Sequence, residues 1–309
     1  MRIAMFGAGG VGGYFGARLA QAGEEVTFIA RGEHLRAIQS RGLRVETSGD
    51  GILIHPARAS DDPRRAGTVD VVLLAVKSWQ VREAAEAARP LLGPETFVVP
   101  LQNGVEAAAQ LVSALGADRV LGGLCGTLSW VAEPGVIRSI GAVHFVRFGE
   151  LDGRTSARAE RLREAFDRAG VKVDIPADIH RALWEKFLFV VPLGGVGAVT
   201  RLPVGIVRTV PESRRLLQRA MEEIAAIARA RGLPLDDATI ARTLAFTDGL
   251  SPDGTTSLQR DIVAGRPSEL DAWTGAVVRL GRESGVPTPV HDVLYDCLLP
   301  QDKQARGEI

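Results

Sequence analysis

The sequence has little of several features that mark particular classes of protein. Only two of its 309 residues are cysteines, Cys125 and Cys297, which excludes a disulfide framework of the kind that holds small secreted domains together. Lysine plus arginine and aspartate plus glutamate both number 37, so no net charge would attract a nucleic acid or another polyanion. The longest apolar runs, such as residues 69–76, are far shorter than the roughly 20 residues that span a bilayer. We therefore expect neither a nucleic-acid partner nor a membrane partner.

Metal-ligand spacing is also missing. The five histidines and two cysteines form no HxxH or CxxH pair, and the first residues resemble a strand rather than a secretory signal. These observations predict a reduced, metal-free, cytoplasmic protein. With 46% hydrophobic and 24% charged residues, the composition is that of an ordinary globular protein, and the length favours two domains.

A glycine turn follows the first apolar run of the chain. Residues 3–6 predict a buried strand, and Gly7, Gly9 and Gly12 then occupy the positions of a G-x-G-x-x-G motif. In such a turn the first glycine lets the backbone bend, the second leaves room for a pyrophosphate, and the third lets a helix pack closely on the sheet. An amphipathic segment over residues 14–22 and a second strand over residues 25–30 complete the pattern. This order of elements predicts dinucleotide binding.

The residue at the end of the second strand indicates which dinucleotide binds. NAD sites usually have an acidic residue there for the ribose 2′-hydroxyl, whereas an arginine accommodates the 2′-phosphate of NADP. Here the strand ends at Arg31, and we interpret Glu33, which follows Gly32, as a solvated turn carboxylate. The sequence therefore favours NADP as the cofactor.

Two different patterns divide the chain. Up to residue 176, strand and helix patterns alternate, which is typical of a doubly wound α/β domain. Within it we expect a helix over residues 79–92, a hairpin around Ser48-Gly49-Asp50, and an antiparallel pair formed by residues 136–140 and 143–148. Residues 177–309 read almost entirely as helix, beginning with residues 179–191. The sequence thus predicts an α/β protein with an N-terminal Rossmann dinucleotide-binding domain (1–176) and an all-helical C-terminal domain (177–309).

Two local patterns lie near the C-terminus. The Ser268-x-x-Asp271 pair resembles a capping box, which would place Glu269 in the first turn of a helix. Residues 301–309 are polar, and we expect this tail to be frayed.

Six stretches, in order and well separated, make the whole chain resemble the ketopantoate reductase (2-dehydropantoate 2-reductase) family, whose members reduce a 2-oxo acid with NADPH. They are the N-terminal fingerprint with Arg31, Val76-Lys-Ser-Trp-Gln80, Gln102-Asn-Gly104, Leu183-Trp-Glu-Lys-Phe187, Ser257-Leu-Gln-Arg-Asp261 with Arg266-Pro-Ser-Glu-Leu270, and Gly285-Val-Pro-Thr-Pro289. The resemblance implies a Rossmann domain, a helical second domain and a small 2-oxo acid as substrate.

The resemblance also implies roles for individual residues. Lys186 matches the family's catalytic lysine, Glu269 its substrate-binding glutamate, Ser257 the serine that contacts the substrate carboxylate, and Asn103 the asparagine near the nicotinamide and the substrate carbonyl. Arg31 and Lys77 match the cations that bind the cofactor. Taken alone, Lys186 could equally be a solvated helix position, Asn103 part of a turn, and Glu269 a carboxylate at a helix start.

The chain departs from the family at four positions. Where the family's ketopantoate reductases carry asparagines, an ungapped alignment places Val190, Gly194, Val204 and Gly254. Because a site built to hydrogen-bond a substrate group discriminates strongly for it, we expect these changes to leave apolar wall and space and to alter specificity.

Three functions stay open at this point. The leading one is NADPH-dependent reduction of a small 2-oxo acid, with ketopantoate as the default substrate. The alternatives are a reductase of the same family acting on a more apolar 2-oxo acid or ketone, and a non-catalytic NADP-binding sensor. The sequence also leaves open the preferred reaction direction and the oligomeric state, a homodimer being one assembly that it allows.

Overall fold

The structure, a computed structural model, describes residues 1–49 and 51–309, and it describes residues 142 and 143 by their backbone alone. These residues divide into two compact units, Met1–Ile179 and His180–Ile309. The first unit contains the ten described strands and five helices, and the second unit consists of helices. The predicted fold class, a Rossmann domain followed by an all-helical region, is confirmed.

The strands are β1 (Arg2–Phe6), β2 (Glu25–Ile29), β3 (Leu43–Glu46), β4 (Ile52–Ile54), β5 (Arg58–Ser60), β6 (Val69–Leu74), β7 (Leu92–Pro100), β8 (Leu121–Glu133), β9 (Val136–Glu150) and β10 (Lys172–Asp174). The helices are α1 (Gly10–Gln21), α2 (Gly32–Arg41), α3 (Val81–Ala87), α4 (Ala107–Leu115), α5 (Ala157–Arg168), α6 (Ile179–Thr200), α7 (Val204–Thr209), α8 (Pro211–Ala230), α9 (Asp237–Asp248), α10 (Ser257–Val263), α11 (Ala276–Ser284) and α12 (Pro289–Arg306).

The first sheet is parallel and carries the glycine turn. Its strands lie in the order β5-β2-β1-β6-β7, and each runs parallel to its neighbours. Alternate residues of β1 enter two separate cores, Ile3 and Met5 on the face of α1 and Ala4 and Phe6 on the face of α3 and α4. Burial on both faces explains why the strands read as continuous apolar runs. The short edge strand β5 has no such run, and the sequence did not predict it.

The second sheet holds strands that the sequence pattern assigned differently. Its order is β10-β9-β3-β4, and β8 pairs with β9 in antiparallel fashion. The predicted pairing of residues 136–140 with 143–148 is wrong, because both belong to β9. Gly141, with φ +88°, lets that strand continue where the sequence suggests a turn. The β3–β4 hairpin is confirmed, although Asp50 in its predicted turn lies outside the described residues.

The single helix predicted over residues 79–92 is also wrong. A 3₁₀ turn at Ser78–Gln80 precedes α3, a second one at Arg89–Leu91 follows it, and β7 already begins at Leu92. Pro90 explains the early end of the helix, since a proline has no N–H and its ring clashes with the preceding turn.

The helix α6 is longer than the predicted span of residues 179–191. It continues through Pro192 to Thr200, a total of 22 residues, and an 18-residue stretch within it has a mean hydropathy of 1.5. By length and composition alone this helix could cross a membrane, which corrects the expectation that apolar segments stop at strand length. However, 72% of its apolar stretch is buried inside the protein, as in the core helix of a globular fold.

Both local predictions near the C-terminus are wrong. A π turn at Asp271–Gly275 precedes α11, and the N–H of Ser268 donates to Asp302 (2.7 Å) instead of to Asp271. The predicted frayed tail forms the last turns of α12, where Asp302 is only 4% exposed. Tertiary hydrogen bonds therefore override the local sequence pattern at both places.

Candidate active site

The glycine turn has the geometry that its motif requires. Gly7 has φ +100°, and a Cβ there would lie 2.9 Å from the backbone of Ala75, which follows β6. A Cβ on Gly12 would lie 1.9 Å from the carbonyl oxygen of Gly7, so only glycine lets α1 approach the turn this closely. Gly9 is different, because a Cβ there would meet nothing within 4 Å. The turn therefore has open space at the one glycine whose missing side chain is expected to admit a pyrophosphate.

His34 on α2 holds this turn in place, a contact that the sequence did not suggest. The N–H of Gly135 donates to its Nδ1 (3.1 Å), so the ring proton sits on Nε2 and is donated to the carbonyl of Ala8 (2.8 Å). Burial lowers the pKa of His34, and the hydrogen bond to Ala8 opposes that shift without cancelling it. A neutral imidazole thus links the glycine turn to the turn between β8 and β9.

Arg31 lies at the carboxyl end of β2, as predicted, and its guanidinium pairs with Glu83 on α3 (3.2 Å). Both side chains are well exposed, at 64% and 65%. Glu33 lies in the first turn of α2 rather than in an open turn, and it pairs with Arg36. An exposed arginine at this strand end can bind a 2′-phosphate if the phosphate displaces Glu83.

Lys77 and Asn103 follow two neighbouring strands, β6 and β7, where these end at the same edge of the sheet. Lys77 is exposed, and its Nζ lies 5.8 Å from the centre of the Trp79 ring. Gln102 connects the two segments, because its amide donates to the carbonyls of Leu74 (2.9 Å) and Val76 (3.0 Å). This buried glutamine fixes the spacing between the two predicted cofactor-binding residues. Gln102 belongs to the sequence motif around Asn103, but its role becomes visible only when the fold shows which carbonyls it contacts.

Lys186 lies on α6 in the second unit. Its neighbours Trp184 and Phe187 are 6% and 1% exposed, whereas Lys186 itself is half-buried. A half-buried lysine whose backbone is held by buried neighbours is compatible with a role as a proton donor.

Ser257 is the first residue of α10, and Thr256 caps that helix by accepting from the N–H of Gln259 (3.1 Å). Glu269 is half-buried between two fully buried residues, Ser268 and Leu270. The residues on both sides of Glu269 are therefore fixed by burial.

The four positions that lack asparagines do not all leave space. At Gly194 a Cβ would lie 2.8 Å from the Trp273 ring, which is fully buried and fills this place. Val204 is 2% exposed, and its N–H donates to the carbonyl of Gly254 (3.0 Å). The expectation of added space is therefore wrong at Gly194, because the indole of Trp273 occupies that space.

The comparison with protein families decides the assignment of this chain. Residues 3–153 match the family described as ketopantoate reductase PanE/ApbA, and residues 178–301 match the C-terminal part of that family. The chain belongs to the ketopantoate reductase family. It is 31% identical to a 2-dehydropantoate 2-reductase of Mesorhizobium japonicum over 95% of each chain. The family is one of oxidoreductases that act on small molecules.

Solved structures agree with this assignment. The ketopantoate reductase of the PanE/ApbA family from Ralstonia eutropha JMP134 has 32% sequence identity and a TM-score of 0.90, covering 99% of this chain and 100% of that one. A D-mandelate dehydrogenase with NADH and anilino(oxo)acetate has a TM-score of 0.91 over 99% of each chain. At 22% identity, the second likeness concerns the fold alone.

Proposed function

We propose that this protein reduces a small 2-oxo acid to the 2-hydroxy acid with NADPH. The observation that carries the proposal is the glycine turn after the central strand β1, with open space at Gly9 and with Arg31 and Lys77 after the two strands that flank β1, β2 and β6. Family membership supports the reaction type. In this proposal residues 1–176 bind the cofactor and residues 177–309 supply substrate binding and catalysis.

The cofactor would be held by backbone and cations. The open side of Gly9 admits the pyrophosphate, which can accept hydrogen bonds from the N–H groups at the start of α1. Arg31 would bind the 2′-phosphate once its ion pair with Glu83 is broken, and Lys77 would add a second positive charge. When bound, NADPH supplies a hydride.

The remaining residues act on the substrate. Asn103 orients the carbonyl, Ser257 donates to the carboxylate, and Glu269 accepts from a substrate hydroxyl or from Lys186. Addition of a hydride to the carbonyl carbon would open the C=O double bond and develop negative charge on the oxygen. The ammonium of Lys186 stabilises this charge and transfers its proton to the oxygen, which yields the 2-hydroxy acid.

A second candidate is the same reaction on a more apolar 2-oxo acid. It is favoured by the Trp273 ring that packs on Gly194, one of the positions where ketopantoate reductases carry an asparagine. The structurally similar D-mandelate dehydrogenase agrees with this possibility, since its structure holds the aromatic compound anilino(oxo)acetate. A non-catalytic NADP-binding sensor is the third candidate, and a cytoplasmic, homodimeric form stays a prediction in each case.

The test is an NADPH oxidation assay over a panel of 2-oxo acids that includes ketopantoate and an aryl 2-oxo acid. We expect turnover with at least one of them, and we expect Lys186→Ala to lower kcat by roughly 10²-fold or more. Lys186→Arg keeps the charge but is a much weaker proton donor, so it should also be slow. NADPH binding without turnover on any 2-oxo acid would favour the sensor, and a Lys186→Ala variant with normal kcat would remove the proton-donor role.

A further inference from the structure

Arg260 lies three residues after Ser257 on α10, and this spacing places both side chains on one face of the helix. Its Nη1 donates to the carbonyl oxygen of Thr255 (2.8 Å) and to the Thr255 hydroxyl (3.2 Å). Helical side chains lean towards the N-terminus of their helix, and these two bonds hold the guanidinium beside the first turn. The guanidinium therefore lies at the end of the helix that begins with Ser257, the residue proposed to contact the substrate carboxylate.

The Asp261 carboxylate attracts the half-buried Arg260 but does not pair with it. Arg260 forms no ion pair with any residue in the two described stretches of the chain, and the adjacent Asp261 instead accepts from Arg266 (3.0 Å). Burial lowers the pKa of Arg260, Asp261 raises it, and Arg266 lowers it further, so the net shift is downward. In the other arginines with a clear shift, a carboxylate partner raises the pKa, as Glu150 does for Arg158. A half-buried cation without an ion-pair partner is stabilised when an anion binds to it.

We propose that Arg260 binds the carboxylate of the substrate together with Ser257. Nη1 is already occupied by Thr255, which leaves the edge formed by Nε and Nη2, and this edge matches the two oxygens of a carboxylate. The inference rests on the proposed function and narrows it. The substrate must carry a free carboxylate beside its carbonyl, so esters, amides and simple ketones are poor substrates.

The test compares a 2-oxo acid with its methyl ester, using the acid that the wild-type protein reduces best. Because a charge-assisted hydrogen-bond pair is lost, we expect Arg260→Gln to lower kcat/KM for the acid about 10- to 150-fold. The ester should be reduced equally slowly by both proteins, so the acid-to-ester ratio collapses. Arg260→Lys keeps the positive charge but loses the two-pronged guanidinium, so its acid-to-ester ratio should lie between those of the wild type and Arg260→Gln. This variant provides the test if Arg260→Gln does not fold.

Arg208 offers a matched control. It is also half-buried, and its Nη1 donates to two backbone carbonyls, those of Thr247 (3.0 Å) and Leu250 (2.7 Å). Arg208→Gln removes a comparable anchor from the same unit, and it should leave the acid-to-ester ratio unchanged. If Arg260 had only a structural role, Arg260→Gln would lower kcat/KM for the acid and for the ester alike, as a general loss of stability does.

Calorimetric binding of oxamate, an unreactive analogue of a 2-oxo acid, separates this inference from the proposed function. In one outcome, the wild-type protein reduces no 2-oxo acid and yet binds oxamate, and Arg260→Gln abolishes that binding. This result would overturn the proposed reductase function and retain the carboxylate site. Turnover with an acid-to-ester ratio that Arg260→Gln does not change would overturn the inference alone. Absence of both turnover and oxamate binding would overturn both.

Discussion

Asp302 accepts hydrogen bonds from both the N–H and the hydroxyl of Ser268, each at 2.7 Å, although the two residues lie far apart in the chain. Arg306 completes the network, because its Nε donates to Asp302 (2.7 Å) and its Nη2 to the carbonyl of Ser268 (2.5 Å). Ser268 is fully buried and directly precedes Glu269. The last turns of α12 therefore hold the backbone that carries the proposed substrate-binding glutamate.

We expect substitution of Asp302 to affect both stability and substrate binding. Asp302→Ala leaves Arg306 and Ser268 without their acceptor in a buried place, which should cost about 3–5 kcal/mol of unfolding free energy. Asp302→Asn retains one acceptor and should cost less. It should raise KM for the 2-oxo acid several-fold and leave KM for NADPH unchanged. Urea unfolding and steady-state kinetics measure these two effects.

Glu223→Gln is the control for this prediction. Glu223 accepts from the N–H groups of Val290 (2.7 Å) and His291 (3.1 Å) and so caps the opposite end of α12, about 18 Å away along the helix axis. Its loss should destabilise the same helix without raising KM for the 2-oxo acid. If both variants raise that KM in proportion to their loss of stability, Asp302 has no specific influence on Glu269.

The parts of the fold that sequence patterns predicted are those with a strong local signal. The apolar run of β1 and the glycine turn are recognisable, because each follows from the preferences of adjacent residues. The sequence predicts a frayed tail at Asp302, since nothing adjacent in the chain shows that Ser268 will donate hydrogen bonds to it. The sequence predicts two strands where the structure has the single strand β9, because Gly141 resembles a turn residue until its partner strand is known.

The candidate site shows the same division. Arg31 and Lys77 could be chosen because they follow strands, and the carboxyl ends of parallel strands are where ligands bind. The sequence does not indicate the roles of Gln102 and His34, since their partners are backbone atoms of other segments that only the fold brings within reach. Residues that hold a site in shape are therefore harder to read from sequence than residues that contact a ligand.

His34 should make stability depend on pH. The folded protein keeps it neutral with a pKa below the ordinary value of about 6.5, whereas the unfolded chain takes up a proton near that value. The unfolded state thus binds more protons, and the contribution of His34 to stability declines as the pH falls from about 6.5 towards the folded pKa. His34→Gln should reduce the loss of unfolding free energy between pH 8 and pH 5. An identical loss in both proteins would contradict this assignment. The difference in unfolding free energy between the two proteins at pH 8 measures the part of the effect of His34 that does not depend on its protonation.

Arg31 and Glu83 should influence cofactor choice in opposite directions. Arg31→Ala removes a charge-assisted contact with the 2′-phosphate, so NADPH affinity should fall about 10- to 150-fold while NADH affinity changes little. Glu83→Gln removes the competitor for the guanidinium. Because an exposed ion pair is worth only about 0–1 kcal/mol, NADPH affinity should rise by no more than about fivefold. Fluorescence titration with both nucleotides checks this, and equal weakening of NADH and NADPH by Arg31→Ala would show that the arginine does not contact the phosphate.

Restoring an asparagine at Gly194 should not create a better ketopantoate reductase. The Cβ would lie 2.8 Å from the Trp273 ring and 3.3 Å from Leu258, and neither side chain can move far in a buried place. Overpacking of this kind costs about 1–3 kcal/mol, and an amide without a partner adds to it. Gly194→Asn should therefore lower the melting temperature without raising kcat/KM for ketopantoate.

Two further variants show whether the indole is the cause. Gly249→Ala is the matched control, because Gly249 is exposed, has φ −84°, and a Cβ there would meet only the Phe246 carbonyl at 3.5 Å and the Ala245 carbonyl at 4.0 Å. It should leave the melting temperature unchanged or raise it slightly. Trp273→Leu vacates part of the space that the asparagine needs. Trp273→Leu should therefore lower the melting temperature less when it is added to Gly194→Asn than when it is introduced into the wild-type protein. Purely additive losses, or a large gain in ketopantoate efficiency from Gly194→Asn alone, would mean that Trp273 does not set the shape of this part of the site.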